Sequence, residues 1–207
     1  MFLKKLINMK KLAILISEAG TGTNLQAIVD AVKNKKLRAK IVLVVSSSKK
    51  AYGLQRAKKS NVFTMIINKK DDLKKILIDN QVNLVVLAGW KLIIPLSLIN
   101  SFKNKILNIH PGLIPDKIDG VVKNPDQTDG FWNRGKLTDI AIKNFLDKKA
   151  TYAGSTVHFL SSEFDFGKIL NRCFEKILPN DTVQSLYTRL KKKENKIYVE
   201  SLMRLCN

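Results

Sequence analysis

Short apolar runs rich in β-branched residues alternate with helical patterns along the first half of the chain. The runs predict strands at residues 12–17, 41–46, 62–67, 82–88 and 105–108, and the segments between them predict helices at 24–34, 51–60, 71–80 and 95–102. Nearly continuous apolar strands joined by crossovers of this length indicate a parallel sheet with right-handed connections. The pattern therefore predicts an α/β fold, with a Rossmann-like, mostly parallel central sheet and helices on both faces.

The residue composition and the hydrophobic periodicity change after Pro115. Residues 116–135 are rich in Gly, Asp and Asn and show no period, which predicts a long loop of a kind that is often functional. The pattern then predicts a helix at 137–146, strands at 153–160 and 168–177, and a closing helix at about 182–205 with Asp181 as its N-cap. No repeat or linker interrupts the chain, so we expect one domain over residues 1–207, with residues 1–8 as an N-terminal arm.

Composition excludes several classes of protein. A 207-residue chain with 45% hydrophobic residues is long enough to bury a proper core. Its two cysteines, Cys173 and Cys206, form no CxxC pair, so the sequence predicts neither a disulfide framework nor a structural zinc site. No apolar stretch is long enough to predict a transmembrane span, and a cytoplasmic location fits best.

The formal net charge of +20 raises nucleic-acid binding as a hypothesis. The basic residues, however, are scattered as lysine pairs, and only six of the 37 are Arg, the residue favoured for bidentate recognition. The run at residues 191–193 is the best candidate for an anion contact, but it falls within a helical pattern. We therefore interpret the charge as a solvated surface and do not expect nucleic acid as a partner.

The first candidate for chemistry is the pair Asn108 and His110, which follows an apolar run. In an extended segment, residues two apart point to the same face, so the carboxamide and the imidazole can converge on one substrate atom. A carboxamide can donate to a developing oxyanion while an imidazole handles a proton, and this combination suits acyl transfer. A histidine satisfied by backbone at a strand end is the alternative that local sequence leaves open.

A glycine-containing turn at residues 17–25 joins the first predicted strand to the first helix. Gly20 and Gly22 permit close backbone approach, and the N–H groups at a helix start form a natural phosphate site. The turn is not a dinucleotide fingerprint, because Leu25 stands where the third glycine belongs, and it is not a P-loop. Phosphate binding and a purely structural turn both remain open.

The third candidate is the segment at residues 153–167, with Asp165 just past a predicted strand. A carboxylate beside His110 would favour the imidazolium and raise the histidine pKa. Asp165 could equally cap a turn before Gly167. His158 alternates with apolar neighbours, which indicates a packed residue or one that supports the site.

In order along most of the chain, these segments resemble the glycinamide ribonucleotide formyltransferases, folate-dependent enzymes of purine synthesis. The resemblance rests on residues 14–27, 52–57, 85–90, 107–115 and 154–167. It implies a catalytic trio of Asn108, His110 and Asp165. It also implies a substrate site, with the phosphate held by Gly20, Thr21, Gly22, Thr23 and Asn24 and the ribose near Glu194, and a folate pocket lined by Lys91, Leu92, Ile93, Ile94, Leu160, Ser161, Ser162, Glu163 and Phe164.

The activity that the resemblance implies is transfer of the formyl group of 10-formyltetrahydrofolate to the amine of glycinamide ribonucleotide, without a metal. Asn108 and protonated His110 would stabilise charge on the formyl oxygen, and Asp165 would keep His110 charged and help to relay a proton. The expected partners are these small molecules alone, and a monomer or homodimer is expected.

Three departures from the family pattern leave alternatives open. The turn before Asn24 is longer than usual, residues 116–134 form a different and longer insertion, and Phe166 stands where the family commonly has Gly. The alternatives are a formyltransferase acting on methionyl-tRNA or a sugar nucleotide, a formyltetrahydrofolate hydrolase, or a non-catalytic basic module that binds nucleotides or RNA.

Overall fold

The computed structural model describes residues 9–18, 20–68 and 72–206, so the predicted N-terminal arm at residues 1–8 lies outside the described part of the chain. The strands of its seven-stranded sheet are β1 (Lys10–Ile16), β2 (Ala39–Ser46), β3 (Thr64–Ile66), β4 (Leu84–Leu87), β5 (Ile106–His110), β6 (Tyr152–Phe159) and β7 (Ile169–Lys176), in the order β3-β2-β1-β4-β5-β6-β7. The helices are α1 (Thr23–Lys33), α2 (Gly53–Lys59), α3 (Leu73–Asp79), α4 (Leu96–Ser101), α5 (Thr138–Asp147) and α6 (Val183–Cys206). The sheet is mostly parallel, and the predicted α/β fold is confirmed.

Contacts divide the chain into two compact units. The first holds the residues before Asn108 together with those from Val199 onward, and the second holds Asn108–Tyr198. In the first unit, β1 pairs in parallel with both β2 and β4, and its side chains from Leu12 to Leu15 are fully buried. A strand that is buried on both faces needs apolar residues at consecutive positions, which is why its sequence shows no alternation.

In the second unit, β6 and β7 form an antiparallel pair. Phe145 of α5 and Val157 of β6 are fully buried there. Residues 111–137 contain neither helix nor strand beyond an isolated bridge between Lys123 and Asp129. This segment nevertheless has internal backbone order, because the Gly130 N–H donates to the Val122 carbonyl at 2.8 Å.

The expectation that Asp181 caps α6 is wrong. Thr182 occupies that position: its hydroxyl accepts the Ser185 N–H at 3.1 Å, and the Ser185 hydroxyl accepts the Thr182 N–H at 2.9 Å. This reciprocal pair satisfies two backbone donors near the start of the helix. Asp181 instead accepts from Arg189 at 2.6 Å and from the Leu178 N–H at 2.8 Å, contacts that hold the pKa of its carboxyl well below its usual range.

Candidate active site

The carboxyl end of β5 carries Asn108 and His110, and the loop between β6 and β7 carries Asp165. His110 is buried, and its Nδ1 lies 3.7 Å from Oδ2 of Asp165. Asn108 precedes His110 by two residues on the same strand, so both side chains point to one face of the sheet. All three residues belong to the second unit, and the structure brings the predicted imidazole and carboxylate together.

Burial controls the charge of His110. Removal from water lowers the pKa of His110 from its usual 6.5, and the nearby Asp165 carboxylate and the Trp132 carbonyl only oppose that effect. The sequence-based expectation of a raised pKa is therefore wrong, because it counted the carboxylate and not the desolvation. His110 is neutral near pH 7. Its Nε2 lies 2.7 Å from the Trp132 carbonyl oxygen, so Nε2 carries the proton and Nδ1 keeps its lone pair.

A second histidine orients Asn108. His158 is fully buried on β6, and its Nδ1 lies 3.0 Å from the Phe159 carbonyl, which makes Nδ1 the donor. Nε2 then accepts from the Asn108 amide nitrogen at 3.4 Å. Burial and the proximity of His110 lower the pKa of His158 to about 3, so this acceptor stays unprotonated at neutral pH. His158 is predicted to be either a packed residue or one that supports the site, and it is both fully buried and in contact with Asn108.

Asp165 has an unusual backbone conformation. Its φ is +49°, in the left-handed region that glycine favours and that Asp and Asn adopt more readily than other residues. Two contacts hold it there: the Gly135 N–H donates to Oδ2 at 2.8 Å, and the Trp132 indole N–H donates to the Asp165 carbonyl at 3.0 Å. Both donors come from the long loop before α5, for which the sequence predicts no contact with the site.

The predicted phosphate turn lies in the first unit, at the start of α1. Gly22 occupies the N-cap position in the left-handed region, with φ of +71°. Thr23 Oγ1 and Asn24 Oδ1 are buried and have no hydrogen-bond partner within the described chain. Arg56 of α2 donates from Nε to the Thr21 carbonyl at 3.0 Å, which places a cation beside the turn.

A cavity of about 600 Å³ opens in the same unit, lined by Ser17, Glu18, Ser47, Ser48 and Lys91. The Lys91 N–H donates to the Ser17 hydroxyl at 3.0 Å, and the Ser17 and Ser47 hydroxyls are 2.8 Å apart. Lys91 is a folate-pocket residue by the resemblance, whereas the serines that follow β2 have no predicted role. Their position at the carboxyl end of a strand was the signal that could have identified them.

The other predicted site residues fall in both units. Leu92 and Ile93, in the first unit, are exposed, and Ile94 is buried; in the second unit, Glu163 and Phe164 are exposed. Glu194 of α6 is only 3% exposed, and its carboxylate accepts from the Ser155 hydroxyl at 2.7 Å and lies 3.4 Å from Lys191 Nζ. The structure thus pairs Glu194 with groups of its own chain.

The described residues contain neither a candidate metal site nor a candidate membrane span. Within residues 9–18, 20–68 and 72–206, no group of three or more His, Cys, Asp or Glu side chains is arranged to hold a metal ion. In the same ranges, no helix is long and apolar enough to cross a membrane.

A mostly parallel α/β sheet that presents an amide and an imidazole at one strand end, beside a carboxylate, has the chemistry of an acyl-group transferase. The chain belongs to the formyl transferase family, whose model matches residues 10–202.

Within this family, the chain is similar over most of its length to proteins named for one reaction. The chain is 32% identical to the phosphoribosylglycinamide formyltransferase of Dictyostelium discoideum, over 92% of this chain and 95% of that protein. It is 33% identical to the Haemophilus influenzae protein of the same name, over 92% of this chain and 84% of that protein. Among solved structures, it superposes on glycinamide ribonucleotide transformylase 1 from Symbiobacterium toebii with a TM-score of 0.78 and 30% identity, covering 95% of this chain and 87% of that one.

Proposed function

We propose that this enzyme transfers the formyl group of 10-formyltetrahydrofolate to the amine of glycinamide ribonucleotide in de novo purine biosynthesis. The observation that carries the proposal is the pairing of His110, at the end of β5, with Asp165 of the loop between β6 and β7. Asn108, two residues before His110, is oriented by His158. The near full-length similarity to enzymes named for this reaction supports it. The folate is consumed as a second substrate and supplies an activated one-carbon acyl group.

Asn108 stabilises the charge that develops on the formyl oxygen. Its amide nitrogen has two hydrogens, and one of them is directed to His158 Nε2 at 3.4 Å. The second is free to donate to the formyl oxygen, and the fixed amide needs no reorganisation when charge appears. Removal of one such donor costs about 3 kcal/mol in the barrier, or roughly a hundredfold in rate.

His110 takes up the proton that the attacking amine loses. Its Nε2–H is held by the Trp132 carbonyl, so the proton arrives at Nδ1, the nitrogen that faces Asp165 at 3.7 Å. The carboxylate stabilises the imidazolium that forms, and His110 then returns the proton to the leaving nitrogen of the folate. Because burial lowers the pKa of His110, the neutral form that begins this cycle predominates at neutral pH.

The turn from Gly20 to Asn24 is proposed to hold the ribonucleotide phosphate. The start of α1 offers backbone N–H groups, and the buried Thr23 hydroxyl lacks a partner. The cations Arg56 and Lys91 lie in the same unit and suit an anionic ligand. Glu194 remains proposed as a ribose contact, and its hydrogen bond from Ser155 and its ion pair with Lys191 would fix its carboxylate in place.

Residues 91–94 of the first unit and residues 160–164 of the second unit are each proposed as folate contacts, as the resemblance implies. Each stretch exposes a large apolar side chain, Ile93 and Phe164, which suits an aromatic heterocycle. We also propose a single formyltransferase domain over residues 1–207, a cytoplasmic location and a monomer or homodimer.

A spectrophotometric formyl-transfer assay tests the function. Purified protein is mixed with glycinamide ribonucleotide and 10-formyltetrahydrofolate, beside His110→Ala and a reaction without the amine. Turnover that requires both the amine and His110 supports the proposal. Formyl loss without the amine would instead indicate a hydrolase, and no reaction would direct the search to sugar nucleotides, methionyl-tRNA and RNA.

A further inference from the structure

Trp132 touches both members of the His110–Asp165 pair. Its main-chain carbonyl accepts from His110 Nε2 at 2.7 Å, and its indole N–H donates to the Asp165 carbonyl at 3.0 Å. We infer that Trp132 is a positioning residue for the formyl-transfer reaction, which sets the tautomer of His110 and the place of the Asp165 carboxylate. This inference rests on the proposed function.

The contact between Trp132 and His110 is built into the fold. A Cβ atom at Gly112 would lie 1.8 Å from the Trp132 carbonyl oxygen, so only glycine at this position lets the carbonyl reach the imidazole. The residue before Trp132 is fixed by the strand end, because the Leu113 N–H donates to the Phe131 carbonyl at 2.9 Å. The carbonyl that faces His110 is therefore held from one side by the segment that follows β5.

Asn133, the residue after Trp132, is also held in place by hydrogen bonds. Asn133 is buried with φ of +57°, and its amide nitrogen donates to the Pro111 and Ala141 carbonyls at 3.2 Å each. Its side-chain oxygen accepts from Asn144 at 2.7 Å. A buried amide that finds partners on both α5 and the Pro111 segment rigidifies the turn. Trp132 thus lies between two anchored neighbours.

The indole side chain connects this turn to the Asp165 loop. The Trp132 ring packs against Phe166 at 5.7 Å between centroids, and the Arg134 guanidinium lies 4.9 Å above it. Arg134 also donates to the Phe164 carbonyl at 3.0 Å. These contacts fix the residues on both sides of Asp165, whose own backbone is left-handed with φ of +49°. Loss of the indole N–H would allow the carboxylate to drift from Nδ1 of His110.

The first test is Trp132→Phe, which keeps an aromatic ring and removes the indole N–H. Tyr152→Phe is the matched control, because it also removes one polar atom from a half-buried aromatic side chain of the same unit. We expect Trp132→Phe to lower kcat about tenfold with KM for both substrates little changed, since small misplacements of a reacting group slow the chemical step. Tyr152→Phe should keep the wild-type kcat.

The pH dependence separates positioning from a purely structural role. The groups that face His110 are Asp165, His158 and the Trp132 carbonyl, and of these the Asp165 carboxylate favours the imidazolium. When that carboxylate drifts, the acid limb of the kcat profile should move to lower pH in Trp132→Phe. In an Asp165→Asn background, the same substitution should have little further effect, because the two changes act through one interaction.

A spectroscopic readout does not depend on activity. The chain has only two histidines, so long-range ¹H–¹⁵N spectra of protein labelled with ¹⁵N-histidine report on His110 and His158 alone. At neutral pH, we expect the wild-type protein to show one ring protonated at Nε2, from His110, and one protonated at Nδ1, from His158. His158→Gln identifies the signals, and Trp132→Phe should shift those of His110 while leaving those of His158 in place.

An Nδ1-protonated His110 in the wild type would overturn the inference even if Trp132→Phe failed to fold. Wild-type kcat and an unmoved pH profile in folded Trp132→Phe would also overturn it. If the wild type shows no formyl transfer, the proposed function fails, and the histidine spectra still decide whether Trp132 holds His110.

Discussion

Replacing His158 by glutamine tests the claim that this histidine is buried in its neutral form. The folded-state pKa is about 3, against an ordinary value of 6.5 in the unfolded chain. As pH falls below about 6.5, His158 becomes protonated in the unfolded state but not in the folded state. The free energy of unfolding therefore falls by about 1.4 kcal/mol per pH unit until the folded-state pKa is reached. Above pH 6.5 neither state is protonated, and this histidine contributes no pH dependence.

At pH 5.0, which lies well above the folded pKa, the loss attributable to His158 is about 2 kcal/mol. Glutamine does not titrate, and its side-chain oxygen can still accept from Asn108. The free energy of unfolding would be measured by urea denaturation at pH 7.5 and pH 5.0. The difference between the two pH values should be about 2 kcal/mol smaller in His158→Gln than in the wild type.

Lys148→Gln is the control variant for the urea measurements. Lys148→Gln changes an exposed charge in the same unit and should keep the wild-type difference between the two pH values. His110 also has a lowered pKa, so some acid destabilisation should persist in His158→Gln. Equal losses of stability in the wild type and His158→Gln would show that His158 is not held neutral by burial.

Three further predictions concern the His110 site. His110→Ala should abolish nearly all formyl transfer while retaining the wild-type circular dichroism spectrum, and a normal rate would remove His110 from the mechanism. Asp165→Asn should lower kcat and move the acid limb of its pH profile to lower pH, because the lost carboxylate had opposed the lowering of the His110 pKa; an upward shift in the pH–rate profile would contradict this. Gly112→Ala should cost about 1–3 kcal/mol in the free energy of unfolding, measured in urea, because its methyl group would displace the Trp132 carbonyl; unchanged stability and kcat would count against the tight approach.

The hydrophobic pattern by itself predicted the α/β class of this protein and the approximate bounds of its strands and helices. The strand predicted at residues 12–17 is observed as Lys10–Ile16, and the helix predicted at 24–34 is observed as Thr23–Lys33. These elements are predictable because burial on both faces of a parallel strand and on one face of a helix imposes a local sequence period. The pairing of Asn108 with His110 followed from the same logic, since residues two apart on a strand share a face.

The sequence did not determine the N-cap of α6 or the contacts of Glu194. Asp181 and Thr182 are both good N-cap residues, and only the backbone path shows that Thr182 caps α6 while Asp181 binds Arg189. Glu194 was identified by resemblance alone, and its burial against Ser155 could not be foreseen, because residues 155 and 194 are far apart in the sequence.

The electrostatics of the site depended on tertiary structure. From sequence, Asp165 was expected to raise the pKa of His110, but the pKa is lowered because the imidazole is almost completely removed from water. Burial is a property of every element packed around a side chain, so no local pattern reports it. The hydrogen bond from His110 to the Trp132 carbonyl also depends on tertiary structure. It requires that Gly112 has no side chain and that Asn133 anchors the turn. The sequence by itself thus determined which groups could do the chemistry, and the tertiary structure decided their protonation and their partners.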